Sequence, residues 1–122
     1  MAHREDVIWL AGLLEGEGCF LVHPDRRTPG SRSNLRVALQ MTDHDVVDRA
    51  YSVFPIGGSG PREVSAANSG GHLGKKPHWC VYWHAANAEI VMRAVLPFMG
   101  KRRSAKILEC LNTPNLSYHR KG

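Results

Sequence analysis

Apolar and polar positions alternate along Asn34 to Met41: Leu35, Val37, Leu39 and Met41 form one unbroken series, Asn34, Arg36, Ala38 and Gln40 the other. A period of two predicts a strand with one buried and one wet side. A second alternating stretch, Cys19 to about Arg26, sets Phe20 and Val22 against Cys19, Leu21, His23 and Asp25. Helical spacing of Val7, Ile8, Ala11 and Leu14 predicts a first helix over residues 4–15. Val46, Val47, Ala50, Tyr51 and Phe54 predict a second, capped by Thr42, with Asp43 and Asp45 in its first turn and its end at Pro55. Residues 86–99 and 104–111 read as a third and a fourth helix. Strands are expected within Ser59–Ala66 and across His78–His84. In the latter, Trp79 and Trp83 lie opposite His78, Tyr82 and His84, and the alternation leaves open which set faces inward. Residues 27–33 and 67–77 are rich in Gly, Ser, Pro and basic side chains and read as loops, and the polar tail from Asn112 reads as frayed.

The predicted order is α-β-β-α-β-β-α-α. Strands that follow one another as hairpins, without βαβ crossovers, imply an α+β fold: a curved antiparallel sheet with helices on one face. With 122 residues the chain is expected to form a single domain with a modest core. Nothing approaches the roughly 18 consecutive apolar residues of a membrane span, and the start has no apolar signal region, so no membrane partner and an intracellular location are expected. Three widely spaced cysteines (Cys19, Cys80, Cys110) imply no disulfide framework. Sixteen Lys and Arg outnumber eleven Asp and Glu, for a net charge of +5. A polyanionic partner suits that balance. Acids collect in the helix-like stretches and bases in the strands and loops, which predicts one positive face.

One string stands apart from this patterning. Leu10 to Gly18 reads LAGLLEGEG, apolar and very small residues followed by two carboxylates set among glycines. Ala11 and Gly12 leave a helix face with little bulk, against which a second helix could pack closely. Gly16 and Gly18 are expected to release the chain from helical geometry. Glu17 then stands at the negative end of the helix dipole, where stability alone would not place an acid and a bound cation would resolve the conflict. The string resembles the signature of the LAGLIDADG homing endonucleases. Leu10, Ala11, Gly12, Leu13, Leu14, Glu15 and Gly18 are identical or conservative matches, and Glu17 stands where the family usually has aspartate. The element order agrees with the fold that this family adopts, and the resemblance covers residues 5 to about 112.

The resemblance implies a single-motif, homodimeric, site-specific endonuclease that cuts a long, roughly palindromic double-stranded DNA target. It acts on no small-molecule substrate. Its cofactor would be Mg²⁺, or another divalent cation such as Mn²⁺ or Ca²⁺. Glu17, with Gly16 beside it, is the expected metal position; two Glu17 side chains would meet where two subunits pack through Leu10, Ala11, Gly12 and Leu14. A second family position falls on Asp43, after Gln40-Met41-Thr42; a first-turn helix acid is the equal alternative. A third falls on Lys101, after Pro97-Phe98-Met99-Gly100, with Arg102 and Arg103 as substitutes.

Base recognition is expected from the wet strand faces: His23, Asp25 and Arg27, then Asn34, Arg36 and Gln40, and Arg62. Arginine suits guanine, and Asn or Gln suits adenine. A plain solvated face is the competing reading. Arg32, Lys75, Lys76, Arg102 and Arg103 suit phosphates, which position without specifying. His78, Cys80 and His84 alternate along one strand and make a poor tetrahedral zinc set. Intracellular DNA, whether cytoplasmic, organellar or phage-borne, is the expected target. The glutamate at position 17 keeps one alternative open: a non-cleaving protein of the same fold, either an RNA maturase or a DNA-binding regulator.

Overall fold

The computed structural model describes residues 2–24, 33–57, 60–64, 77–114 and 116. Helix α1 (Arg4–Glu17) runs directly into strand β1 (Gly18–Pro24), and β2 (Ser33–Met41) returns beside it. Helix α2 (His44–Val53), strands β3 (Arg62–Val64) and β4 (His78–His84), helix α3 (Ala85–Val95), a 3-10 turn over Leu96–Phe98 and helix α4 (Lys101–Leu111) follow. The order is the one that the hydrophobic pattern predicts.

All strand pairs are antiparallel, in the order β1-β2-β4-β3. The register sets Cys19 beside Ala38 and Ala38 beside Tyr82; Leu21 lies beside Arg36, which lies beside His84. Gln40 and Arg62 flank Cys80 from its two sides. Leu35, Val37 and Leu39 of β2 are buried with Phe20, Val81 and Trp83 against the helices. Removing these branched and aromatic surfaces from water is the main force that closes the sheet onto its helices.

Helix α1 buries Val7, Leu10, Ala11 and Leu14. Ile8, expected in that stripe, is exposed, because it sits about 100° round the helix from Val7. Helices α2, α3 and α4 add Val47, Ala50, Val53, Ala88, Val91, Met92, Val95, Ile107 and Cys110 to the core. Trp83 turns inward, and its indole Nε1 donates a 3.0 Å hydrogen bond to the Phe54 carbonyl. Trp79 points the same way and stacks on His44 at 3.5 Å between ring centres. Both tryptophans therefore lie on the helix side, and His78, Cys80, Tyr82 and His84 on the other.

Some boundaries differ from the pattern. Helix α1 continues through Gly16 to Glu17, so Gly16 does not end it. Gly18 is extended (φ −82°, ψ 164°), a conformation open to any residue. What requires glycine there is space: a Cβ would lie 2.7 Å from Leu14 Cδ2 and 2.8 Å from the Leu14 carbonyl oxygen. Asp43, not Thr42, occupies the N-cap of α2, its carbonyl accepting from Val47 N–H at 3.2 Å. Helix α4 begins at Lys101, before Ser104, in a polar turn with no apolar residue to announce it. Leu116 is buried and bridges to Ser33, so the polar tail is anchored at that point. No helix among the described residues is long and apolar enough to cross a membrane.

Candidate functional site

The helix-free face of the sheet is built from alternate residues of four strands. It carries His23 from β1, Asn34, Arg36 and Gln40 from β2, His78, Cys80, Tyr82 and His84 from β4, and Arg62 from β3. Among the described residues this face bears no carboxylate. Its two arginines, without a counter-charge among the described residues of the face, give it a positive potential suited to a polyanion.

At its centre the Arg36 guanidinium carbon lies 4.1 Å from the centre of the Tyr82 ring. His84 flanks Arg36 across the strand pair, and His23 meets His84 edge-on at 6.5 Å between ring centres. Burial raises the Tyr82 hydroxyl above its ordinary pKa, helped by its hydrogen bond with Cys80. Burial lowers His84 below its ordinary value of 6.5, and the charge on Arg36 and the neighbouring His23 add to the shift. His84 is thus biased toward its neutral form. Among the described residues, three buried side-chain nitrogen atoms, His23 Nε2, Arg36 Nε and His78 Nε2, have no hydrogen-bond partner, and all three belong to this face. Polar atoms left so are costly, roughly 1–3 kcal/mol each, and mark places where a ligand could supply the missing partner.

A second group of residues gathers at one end of the sheet. Gly18 pairs with Leu39, which sets the exposed Glu17 at the Gln40 end of β2. From that end the chain passes through Thr42 and Asp43 into α2. Asp43 is exposed, and although it occupies the N-cap its side chain makes no capping bond. The N-terminus of α4 is fastened to the same corner. Glu15 Oε1 accepts from Gly100 N–H at 2.6 Å, while Arg103 donates to the carbonyls of Glu15 (3.2 Å) and Gly18 (2.9 Å). Lys101 and Arg102 are exposed beside that junction.

Arg103 is therefore committed to two carbonyls inside the subunit, which separates it from Lys101 and Arg102. Of the residues expected at a contact between copies, Leu10, Ala11 and Leu14 are buried in this chain's own core and Gly12 is exposed. Asp25, Arg27, Arg32, Lys75 and Lys76 lie outside the described residues. Tyr82 and His84 were the members of the face that strand alternation alone could not orient; the inward turn of Trp83 was the missing signal.

Glu17 offers an exposed carboxylate, and the Gly16 carbonyl lies in the last helical turn, where no amide four residues on remains within the helix. Both are hard oxygen donors of the kind Mg²⁺ and Ca²⁺ prefer, so the residues fit such an ion. Among the described residues no three His, Cys, Asp or Glu side chains gather to enclose one.

No family model matches the chain, and no curated protein sequence matches it. Solved structures do. The homing endonuclease I-CvuI in complex with its target in the presence of Ca superposes with a TM-score of 0.58 at 16% identity, over 89% of this chain and 69% of that one. I-CvuI on the I-CreI target in the presence of Mg, its DNA not cleaved, gives 0.59 at 18% identity, over 91% and 73%. The group I intron-encoded homing endonuclease I-CeuI complexed with DNA gives 0.57 at 14%, over 91% of this chain and 54% of that one. The chain has the fold of the homing endonucleases.

Proposed function

We propose that the protein is a site-specific double-strand DNA endonuclease that works as a homodimer and requires a divalent cation. The observation that carries this reading is the meeting of the Glu17 end of α1 with a cation-bearing sheet face that holds no acid among the described residues, in a fold shared with DNA-bound homing endonucleases. The sheet face would lie in the major groove, where side chains reach base edges, and Lys101 and Arg102 would hold phosphates. Glu17, at the corner of that face, would meet the scissile phosphate and hold the cation with the Gly16 carbonyl. When bound, such an ion lowers the pKa of water and neutralises phosphate charge. Asp43 would orient the attacking water, and the ammonium of Lys101 would stabilise the charge that builds on the phosphate oxygens. One carboxylate per subunit does not suffice for two strand cuts, so two copies related by a twofold axis would each bring a Glu17 to the centre.

Incubation with a randomised duplex library and Mg²⁺, with recovery of cut and of bound DNA, tests the reading. The wild-type chain should cut a defined set of sequences, and Glu17→Gln should bind that set uncut, since charge is lost and shape is kept. Cutting by the variant would remove Glu17 from the site. Selective binding without cutting by the wild-type chain would favour the non-cleaving alternative.

A further inference from the structure

We propose that Arg36, held in plane by Tyr82, specifies one guanine within the stretch of DNA that each subunit covers; this rests on the DNA-binding reading above. Arg36 lies mid-strand in β2, an interior strand of the sheet, rather than at its rim. Its guanidinium carbon sits over the Tyr82 ring, 4.1 Å from the ring centre. Stacking of that kind uses the face of the group and leaves its in-plane N–H donors directed outward. Among the described residues no carboxylate on this face competes for them. The cross-strand neighbours are Leu21, which is apolar, and His84, biased toward neutrality, so Arg36 is the full cation of its row.

A rigid planar fork matches two adjacent acceptors. Guanine presents O6 and N7 in the major groove, whereas adenine sets an N6 donor beside N7 and repels one arm of the fork. A phosphate also has two acceptors, but long, free side chains such as Lys101 and Arg102 suit it better than a half-buried, braced one. Tyr82 is a positioning residue: it acts on the base only through Arg36.

Selection of bound duplexes from a random library, in the absence of Mg²⁺, decides the matter. The wild-type chain should enrich sequences with a constant guanine at one position. Arg36→Lys keeps the charge and loses the fork, so the preference for guanine at that position should fall by about 10- to 100-fold while the other positions persist. Tyr82→Leu should produce the same loss at the same position. Tyr82→Phe, which retains the stacking ring, should restore it. If Arg36→Lys leaves the base preferences intact, or Arg36→Gln weakens all sequences equally and reduces the salt dependence by about one ion, Arg36 is a phosphate contact and the proposal fails. If the wild-type chain binds without any sequence preference, the DNA-recognition reading itself fails, an outcome distinct from a preference that ignores Arg36.

Discussion

The Glu15 carboxylate accepts a 2.6 Å hydrogen bond from the backbone N–H of Gly100, 85 residues away in the chain. Gly100 is the N-cap of α4, so an acid near the end of one helix satisfies a donor at the start of another. Arg103, in the first turn of α4, returns the favour by donating to the carbonyls of Glu15 and Gly18. Each helix thus supplies the charge that the other's terminus lacks. Through this exchange the α1 corner that carries Glu17 is held against the cationic start of α4.

Replacing Glu15 with Ala should therefore lower stability by about 1 kcal/mol, the usual worth of a helix cap. Urea titration followed by circular dichroism would measure it. Glu15→Gln, which keeps an acceptor without the charge, should recover part of the loss; equal loss in both variants would show that the acceptor at Gly100 contributes little.

Gly18→Ala should destabilise the fold by roughly 1–3 kcal/mol, because the added methyl would meet Leu14 side-chain and backbone atoms inside 3 Å. The backbone shift needed to relieve that contact also moves Glu17, the preceding residue. A thermal melt of the variant at or above the wild-type midpoint would contradict the close-approach argument.

Gly12 behaves in the opposite way. A Cβ there meets nothing within 4 Å inside the subunit, so Gly12→Leu should leave the subunit folded. If α1 also forms the contact between two copies, the same change should separate them. Sedimentation of both chains checks this, and a variant dimer of unchanged stability would place the contact elsewhere.

His84 should titrate below the ordinary value of 6.5, with burial as the first cause, then the charge on Arg36 and the neighbouring His23. Tyr82 on its own strand and Arg36 on the next are the other side chains that face it. Since the folded protein resists protonation here, the unfolded chain binds the proton more readily, and stability declines as pH falls below about 6.5. Arg36→Gln should shift the His84 titration upward in an NMR experiment. An unchanged midpoint would remove Arg36 from its surroundings.

Much of this architecture is legible in the amino-acid order because burial imposes a period on it. The alternation from Asn34 to Met41 predicts β2, and the spacing of Val7, Ala11 and Leu14 predicts α1, without reference to any other part of the chain. Local chemistry also predicts that Glu17 ends a helix. Where packing chooses between two equally good local patterns, the order is silent. Trp79 and Trp83 face the helices because the large indoles fill the core and Phe54 supplies an acceptor, which is a fact about α2 and not about β4. Helix α4 begins early because Glu15 caps it from a distance.

The class and order of the elements, the uneven charge and the signature ending at Gly18 are thus written in the amino-acid order, since all of them depend on neighbours within a few positions. Packing across the fold places Leu10, Ala11 and Leu14 in the subunit's own core, makes Arg103 an internal brace and sets Arg36 over Tyr82. Those outcomes depend on which residues a fold brings together across dozens of positions, and close packing, unlike periodicity, leaves no local trace.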